Sequence, residues 1–177
     1  MRGDEQPVMA DYSGVSPEKY RFVMRQVASP VAIVAARKGK NRCGLTATAI
    51  CSAAADPPTL LVCINRNASA EALIVDSGAF SVNFLAENQA GIARLFSMQK
   101  IDNEDRFAEG IWKSAVTGAP LLVGAVCTFD CKVVTTIPCG THQIFIGRVL
   151  AADSVESSPL LYRDGYFRRI VNDAGGT

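Results

Sequence analysis

The chain has 177 residues, of which 49% are hydrophobic, and its 18 Lys and Arg nearly balance 17 Asp and Glu for a formal charge of +1. That length suits one domain with a sizeable core. The near-neutral charge lacks the basic stripe a nucleic-acid partner needs, and no apolar run reaches the roughly 20 residues that span a bilayer.

Residues 1–15 are polar and unpatterned, and predict a flexible arm; they contain no apolar signal region, so a cytoplasmic protein is expected. Ser16-Pro17-Glu18 reads as a helix cap with proline at the first helical position. Tyr20, Val23, Met24 and Val27 follow at helical spacing as one apolar stripe, and Ser29-Pro30 ends the helix. Strands are expected at Val31–Ala36, Gly44–Cys51 and Leu60–Asn65, the first two joined by the basic turn Arg37-Lys38-Gly39-Lys40.

A short helix should run from Ser69 to Asp76 and stop at Gly78. Strand Phe80–Leu85 and helix Asn88–Phe96 come next, then a loop-rich stretch from Ser97 to Ala119. The last third reads as a meander of Leu121–Val134, Thr141–Ala152, a short helix or turn near Ser157–Leu161, and Tyr166–Val171. One domain over 16–171 with a disordered tail at 172–177 is expected. Many strands, hairpin links and few helices predict a mainly β fold, a closed or nearly closed antiparallel barrel.

The chain has no Gly-x-Gly-x-x-Gly after a strand, no P-loop and no Gly-x-Ser-x-Gly elbow. The six cysteines (43, 51, 63, 127, 131 and 139) form no Cys-x-x-Cys pair, and there is one histidine, so no metal site is expected. The thiols read as reduced and mostly buried small hydrophobes.

Four segments carry chemistry. Thr46-Ala47-Thr48-Ala49 reads as an ordinary strand, but its small side chains would also let a flat ring approach backbone amides. Asn65-Arg66-Asn67-Ala68-Ser69, at a strand end before a helix, serves equally as a helix cap or as an anion site. Arg106-Phe107 reads as a loop charge beside a core aromatic, or as a phosphate partner with an aromatic edge. His142, in Cys139-Gly140-Thr141-His142-Gln143, stands before a strand at a barrel rim, where an imidazole can bond a nicotinamide amide or supply a proton.

In this order, Gly44-Leu-Thr-Ala-Thr-Ala, Ser52, Asp56-Pro57-Pro58, Asn65-Arg66, Phe80-Ser-Val-Asn83, Arg106-Phe107, Gly118-Ala-Pro-Leu121 and Gly140-Thr-His-Gln-Ile-Phe-Ile-Gly147 resemble the short-chain flavin reductases. These are the reductase components of two-component flavin-dependent monooxygenases. The resemblance covers roughly residues 18 to 170 and implies an FMN-binding split β-barrel with Greek-key connections, acting as a homodimer. It implies that NADH or NADPH reduces FMN or FAD, which leaves for a partner oxygenase. By matching position, Thr46, Ala47, Thr48 and Ala49 would line the ring, with Ser52 in the same motif set. Asn65, Arg66 and Ser69 would serve the ribityl and phosphate end with Arg106 and Phe107 nearby, and His142 would face the nicotinamide. Where the family often has Gly-Asp-His, this chain has Gly140-Thr141-His142, which leaves no aspartate there to act. Two further branches share the Thr-His form: the flavin-dependent cob(II)yrinic acid a,c-diamide reductases, with a corrinoid acceptor, and the reductase of pyrimidine-ring catabolism. A flavin or haem carrier without turnover, or a pyridoxal-phosphate-type oxidase on a related barrel, would be the rivals from other classes.

Overall fold

The computed structural model describes residues 14–171. The expected tail, and all of the expected arm before residue 14, lie outside that span. Helix α1 (Pro17–Met24) is capped by the Ser16 hydroxyl, which accepts from the Lys19 amide at 3.2 Å. Strands β1 (Ser29–Pro30), β2 (Ala32–Lys38), β3 (Asn41–Ala47), β4 (Ile50–Ala55) and β5 (Pro58–Asn65) follow. Next come α2 (Ser69–Ser77), β6 (Ala79–Phe84), α3 (Ala90–Ser97) and α4 (Asn103–Arg106). The chain closes with β7 (Trp112–Lys113), β8 (Leu121–Leu122), β9 (Cys127–Cys139), β10 (His142–Ser154), β11 (Leu161–Arg163) and β12 (Tyr166–Arg168).

Seven strands form one antiparallel sheet in the order β3-β2-β6-β9-β10-β5-β4. Its edges, β3 and β4, do not pair, yet only Thr48 and Ala49 separate them in the chain. Three peptide links reach about 10 Å, so the sheet must roll until its two edges meet at that end. The result is a split barrel with an unpaired seam, the fold the resemblance implies, and of the closed and nearly closed barrels expected from the strands it is the nearly closed one.

Alternation fills the interior. On β5, Leu60, Val62 and Ile64 are buried between less buried neighbours, and they meet Val34, Phe80 and Phe145 inside the roll. Gly147 on β10 makes room: a Cβ there would lie 2.5 Å from the Phe80 ring. Strand β2 is buried on both faces, because Ile33 and Ala35, with Val31 just before the strand, face outward onto Ile92, Ala93 and Phe96 around α3. Its unbroken apolar run follows from that double burial.

A buried polar network ties the long 107–120 connection to the sheet. Asn83 accepts the Leu122 amide at 2.8 Å and donates to the Ile33 carbonyl at 3.1 Å. The Asp130 carboxylate accepts the Thr117 amide at 2.8 Å and the Thr117 hydroxyl. Two segments that the sequence singles out, around Asn83 and Pro120, are thereby brought together, since Asn83 also donates to the Pro120 carbonyl at 3.3 Å.

Several expected elements differ. Gly44–Cys51 is not one strand but two edges, because the chain leaves β3 at Thr48 and re-enters as β4. Leu121–Val134 is broken at Gly124 (φ 78), and β9 continues on to Cys139. The stretch 97–119 contains α4 and β7, and the turn expected near residues 157–161 is instead a bridge of Pro159 to Ala86 leading into β11. Two thiols, Cys43 and Cys131, are buried, whereas Cys51 and Cys139 are exposed, so the thiols are not mostly buried; all six are free. The apolar stripe begun on α1 meets no core: Tyr20, Val23, Met24 and Val27 are 56%, 51%, 46% and 49% exposed. No helix among the described residues is long and apolar enough to cross a membrane.

Candidate cofactor site

The site begins where β5 ends. The Asn65 side chain accepts the Asn67 amide at 2.9 Å and its carbonyl accepts the Ala68 amide at 2.9 Å, turning the chain sharply into α2. The residue at the cap position is therefore Ala68, which has no side-chain acceptor, so the first-turn amides of α2 receive no side-chain cap. Of the two readings open for this segment, capping fails: Asn65 is committed to the turn. Glu71 is the one acidic residue in that first turn.

Opposite α2 lies the end of α3. Gly44 lets it approach β3, since a Cβ there would stand 2.9 Å from the Phe96 ring. The Thr46 hydroxyl donates to the Ala93 carbonyl at 2.7 Å and pins the two together. Arg106 then gathers the carbonyls left over at the helix end. Its Nη1 donates to Phe96 at 2.8 Å and Leu95 at 3.4 Å, and its Nη2 to Met98 at 2.5 Å. The Arg106 side chain is 9% exposed, and its Nε has no hydrogen-bond partner among the described residues.

These pieces enclose a cleft of about 770 Å³ between β3, the start of α2 and the segment 96–103. Gly44, Asn65, Asn67, Ser69, Met98 and Arg106 are among its lining residues. That volume lies within the range that cofactor sites occupy. An uncapped helix start and a buried guanidinium on one cleft suit a phosphate. Cys43 adjoins but supplies no thiolate: burial pushes its pKa to about 11, against a smaller downward pull from the Arg106 charge.

Of the residues picked from sequence, Asn65, Ser69 and Arg106 share this cleft. Thr46 borders it from β3 with its hydroxyl bonded to α3, and Ala47 points into the barrel interior. Thr48, Ala49 and Ser52 lie exposed along the seam and on β4. Arg66 is exposed, with its amide bonded to the Thr141 carbonyl at 3.0 Å. Phe107 is 3% exposed, packed edge-on to Phe96 and Trp112 with ring centroids 5.1 and 4.9 Å away, so it presents no open edge to a ligand. Its face carries the Arg42 guanidinium at 4.5 Å.

His142 is half-buried at the start of β10, opposite Asn65 in the ladder, and its Nδ1 lies 2.9 Å from the Thr141 hydroxyl. It thus neighbours the cleft through Asn65 without lining it. Sequence reasoning missed the segment Ser97–Asn103, which forms the far wall. Its only signal is Arg106, whose three carbonyl partners fix the path of that loop.

Comparison with known proteins agrees with this architecture. The flavin reductase like domain model matches residues 24–171. The chain is 41% identical over 164 residues to FMN reductase (NADH) RutF of Ancylobacter novellus, covering 92% of this chain and 88% of that one. The NADH:FAD oxidoreductase of Streptomyces globisporus, solved with NAD and FAD fragments, superposes with a TM-score of 0.83 at 28% identity, covering 92% and 99% of the two chains. The flavin reductase component of a bacterial two-component tryptophan halogenase gives a TM-score of 0.82 at 29% identity over 89% and 100%. With a family match spanning most of its length and an open seven-stranded barrel of the same shape, the chain belongs to the flavin reductase like family.

Proposed function

We propose that the protein is an NAD(P)H-dependent flavin reductase that supplies reduced FMN or FAD to a partner monooxygenase. The observation that carries this reading is the cleft where the uncapped start of α2 and the unpartnered Nε of Arg106 stand together. When nicotinamide and flavin are both bound, hydride passes between their rings, a chemistry that belongs to the cofactors themselves. The protein binds and orients. Ser69 and the first-turn amides of α2 hold the phosphate with Arg106, and Asn65 and Arg66 flank the ribityl chain. Thr48 and Ala49 at the seam, with Ser52 on β4, lie against the ring, while Ala47 anchors β3 from the barrel interior and Thr46 and Phe107 support it from the α3 side. His142 stands beside Asn65 as the contact for the nicotinamide.

The family shown, the names of the relatives and the fit of the cleft support this reading. The protein acts as a homodimer in the cytoplasm, and the exposed stripe of α1 is the surface that such a dimer covers. The deciding experiment is anaerobic mixing of the protein with NADH and FMN, following loss of the visible flavin absorbance. Repeated turnover is the expected result. Tight flavin binding without turnover would make the protein a carrier instead.

A further inference from the structure

One face of β3 seats both helices that bound the cleft on its far side. Side chains alternate along a strand, and Arg42, Gly44 and Thr46 stand at every second position of β3. Thr46 bonds the Ala93 carbonyl of α3, and Gly44 gives room to the Phe96 ring further along that helix. Arg42, the third in the row, reaches α4 instead. Its Nε and Nη2 fork onto the Glu104 carboxylate at 3.0 and 2.9 Å, and its Cζ lies 4.5 Å from the centre of the Phe107 ring.

Helix α4 needs such a hold. Its four residues, Asn103 to Arg106, are all polar and too few to be stable as an isolated helix. Glu104 and Phe107 stand before and after Arg106, so Arg42 grips the chain on both sides of it. Arg106, between them, turns its guanidinium to the end of α3 and lines the cleft, whereas Arg42 does not line it. Arg42 and Glu104 are 29% and 62% exposed, and an ordinary ion pair at that exposure would hold little. This one has forked geometry and an aromatic ring against the guanidinium plane, neither of which a lysine can reproduce.

We propose that Arg42 is a positioning residue for the cofactor phosphate: by clamping α4 onto β3 it holds Arg106 where the guanidinium meets that phosphate. The inference rests on the flavin-reductase reading and on the place given there to Arg106. It carries a signature that a plain support of the fold lacks. FMN and riboflavin share the ring and the ribityl chain and differ only in the phosphate, so loosening the clamp weakens FMN and leaves riboflavin as it was.

The test uses the full chain with Arg42→Lys, which keeps the charge but not the fork, and with Glu104→Gln, which removes the anchor from an exposed position. Kd for FMN and for riboflavin is measured by flavin fluorescence at one ionic strength, and the riboflavin value also shows that the fold and the ring site are intact. Both variants should raise the FMN Kd about fivefold or more while the riboflavin Kd stays within about twofold. Glu104→Gln is the sharper of the two. It takes a negative charge away from the neighbourhood of the phosphate, so charge acting through space would tighten FMN, and only a lost clamp weakens it. The proposal is overturned if FMN keeps its wild-type affinity in either variant, or if FMN and riboflavin weaken together. A wild type that binds FMN no better than riboflavin would remove the phosphate role of Arg106, and the proposal with it. Failure of the wild type to bind any flavin would instead overturn the flavin-reductase reading itself.

Discussion

Arg106 shows how one side chain serves two ends. Two of its nitrogens close the carbonyls at the end of α3, its Nε is buried without a partner among the described residues, and in the proposed reading the same guanidinium meets the flavin phosphate. Replacing it by Gln cannot restore three donors, and each carbonyl left buried without a partner costs about 1–3 kcal/mol. Arg106→Gln should therefore lower stability by at least about 2 kcal/mol in urea unfolding and weaken flavin binding as well. Stability equal to wild type would remove the capping role. His142 is a different case, since it borders the cleft only through Asn65. His142→Ala should raise the KM for NADH about tenfold, a loss of about 1.4 kcal/mol, with flavin Kd within twofold. Unchanged steady-state kinetics would take the nicotinamide role from it. Residue type alone leaves Asn65 and Ser69 open between cap and anion site and Arg106 a loop charge; it is the family resemblance that groups the three, and the structure lines one cleft with them. The sequence does not show that Phe107 is enclosed, because an aromatic beside an arginine looks the same at a rim and in a core.

Among the elements, buried strands with clear alternation are the readable ones, and β2, β5 and β6 run close to their expected bounds. The division of β3 from β4 is not readable, because the seam at Thr48-Ala49 is made of residues that continue a strand equally well. The helix α4 is hidden for a related reason. Four polar residues carry no periodicity, and what holds them is Arg106 and the Arg42–Glu104 pair, contacts distant in sequence. Gly147 gives the sharpest test at this scale. An added methyl would meet Phe80 and Cys131 at 2.5 and 3.1 Å, and overpacking of that kind costs about 1–3 kcal/mol. Gly147→Ala should lower the melting temperature by several degrees, and Gly147→Ala with Phe80→Leu should recover part of it. A melting temperature equal to wild type would show that the barrel interior can yield.

For the whole molecule, the stripe on α1 is correctly periodic in sequence, yet a single chain gives it nothing to cover. Spacing reveals an apolar face, and only the assembled fold reveals whether the core lies beneath it. In the proposed homodimer, Val23→Ser together with Met24→Ser should convert the protein to monomer in size-exclusion chromatography. A dimer surviving both changes would place the interface elsewhere. The buried thiols make stability depend on alkaline pH. Burial raises Cys43 to about 11 and Cys131 to about 12, from 9.0. A raised acid favours the fold only while it keeps its proton, so stability is full below pH 9 and falls between pH 9 and about 12. Thermal melts from pH 8 to 11 should show that fall, and it should be shallower in Cys43→Ala. An equal slope in the variant would assign the loss to other groups.

The unpaired edges of β3 and β4 also dictate how the molecule breathes. Amide hydrogens on β9 and β10, each held by strands on both sides, cannot exchange with deuterium unless the sheet is taken apart from within. Those facing the opening need only a local fraying of one strand. Deuterium uptake should thus spread inward from both lips of the roll, and a ligand lodged across them should slow the outermost strands most.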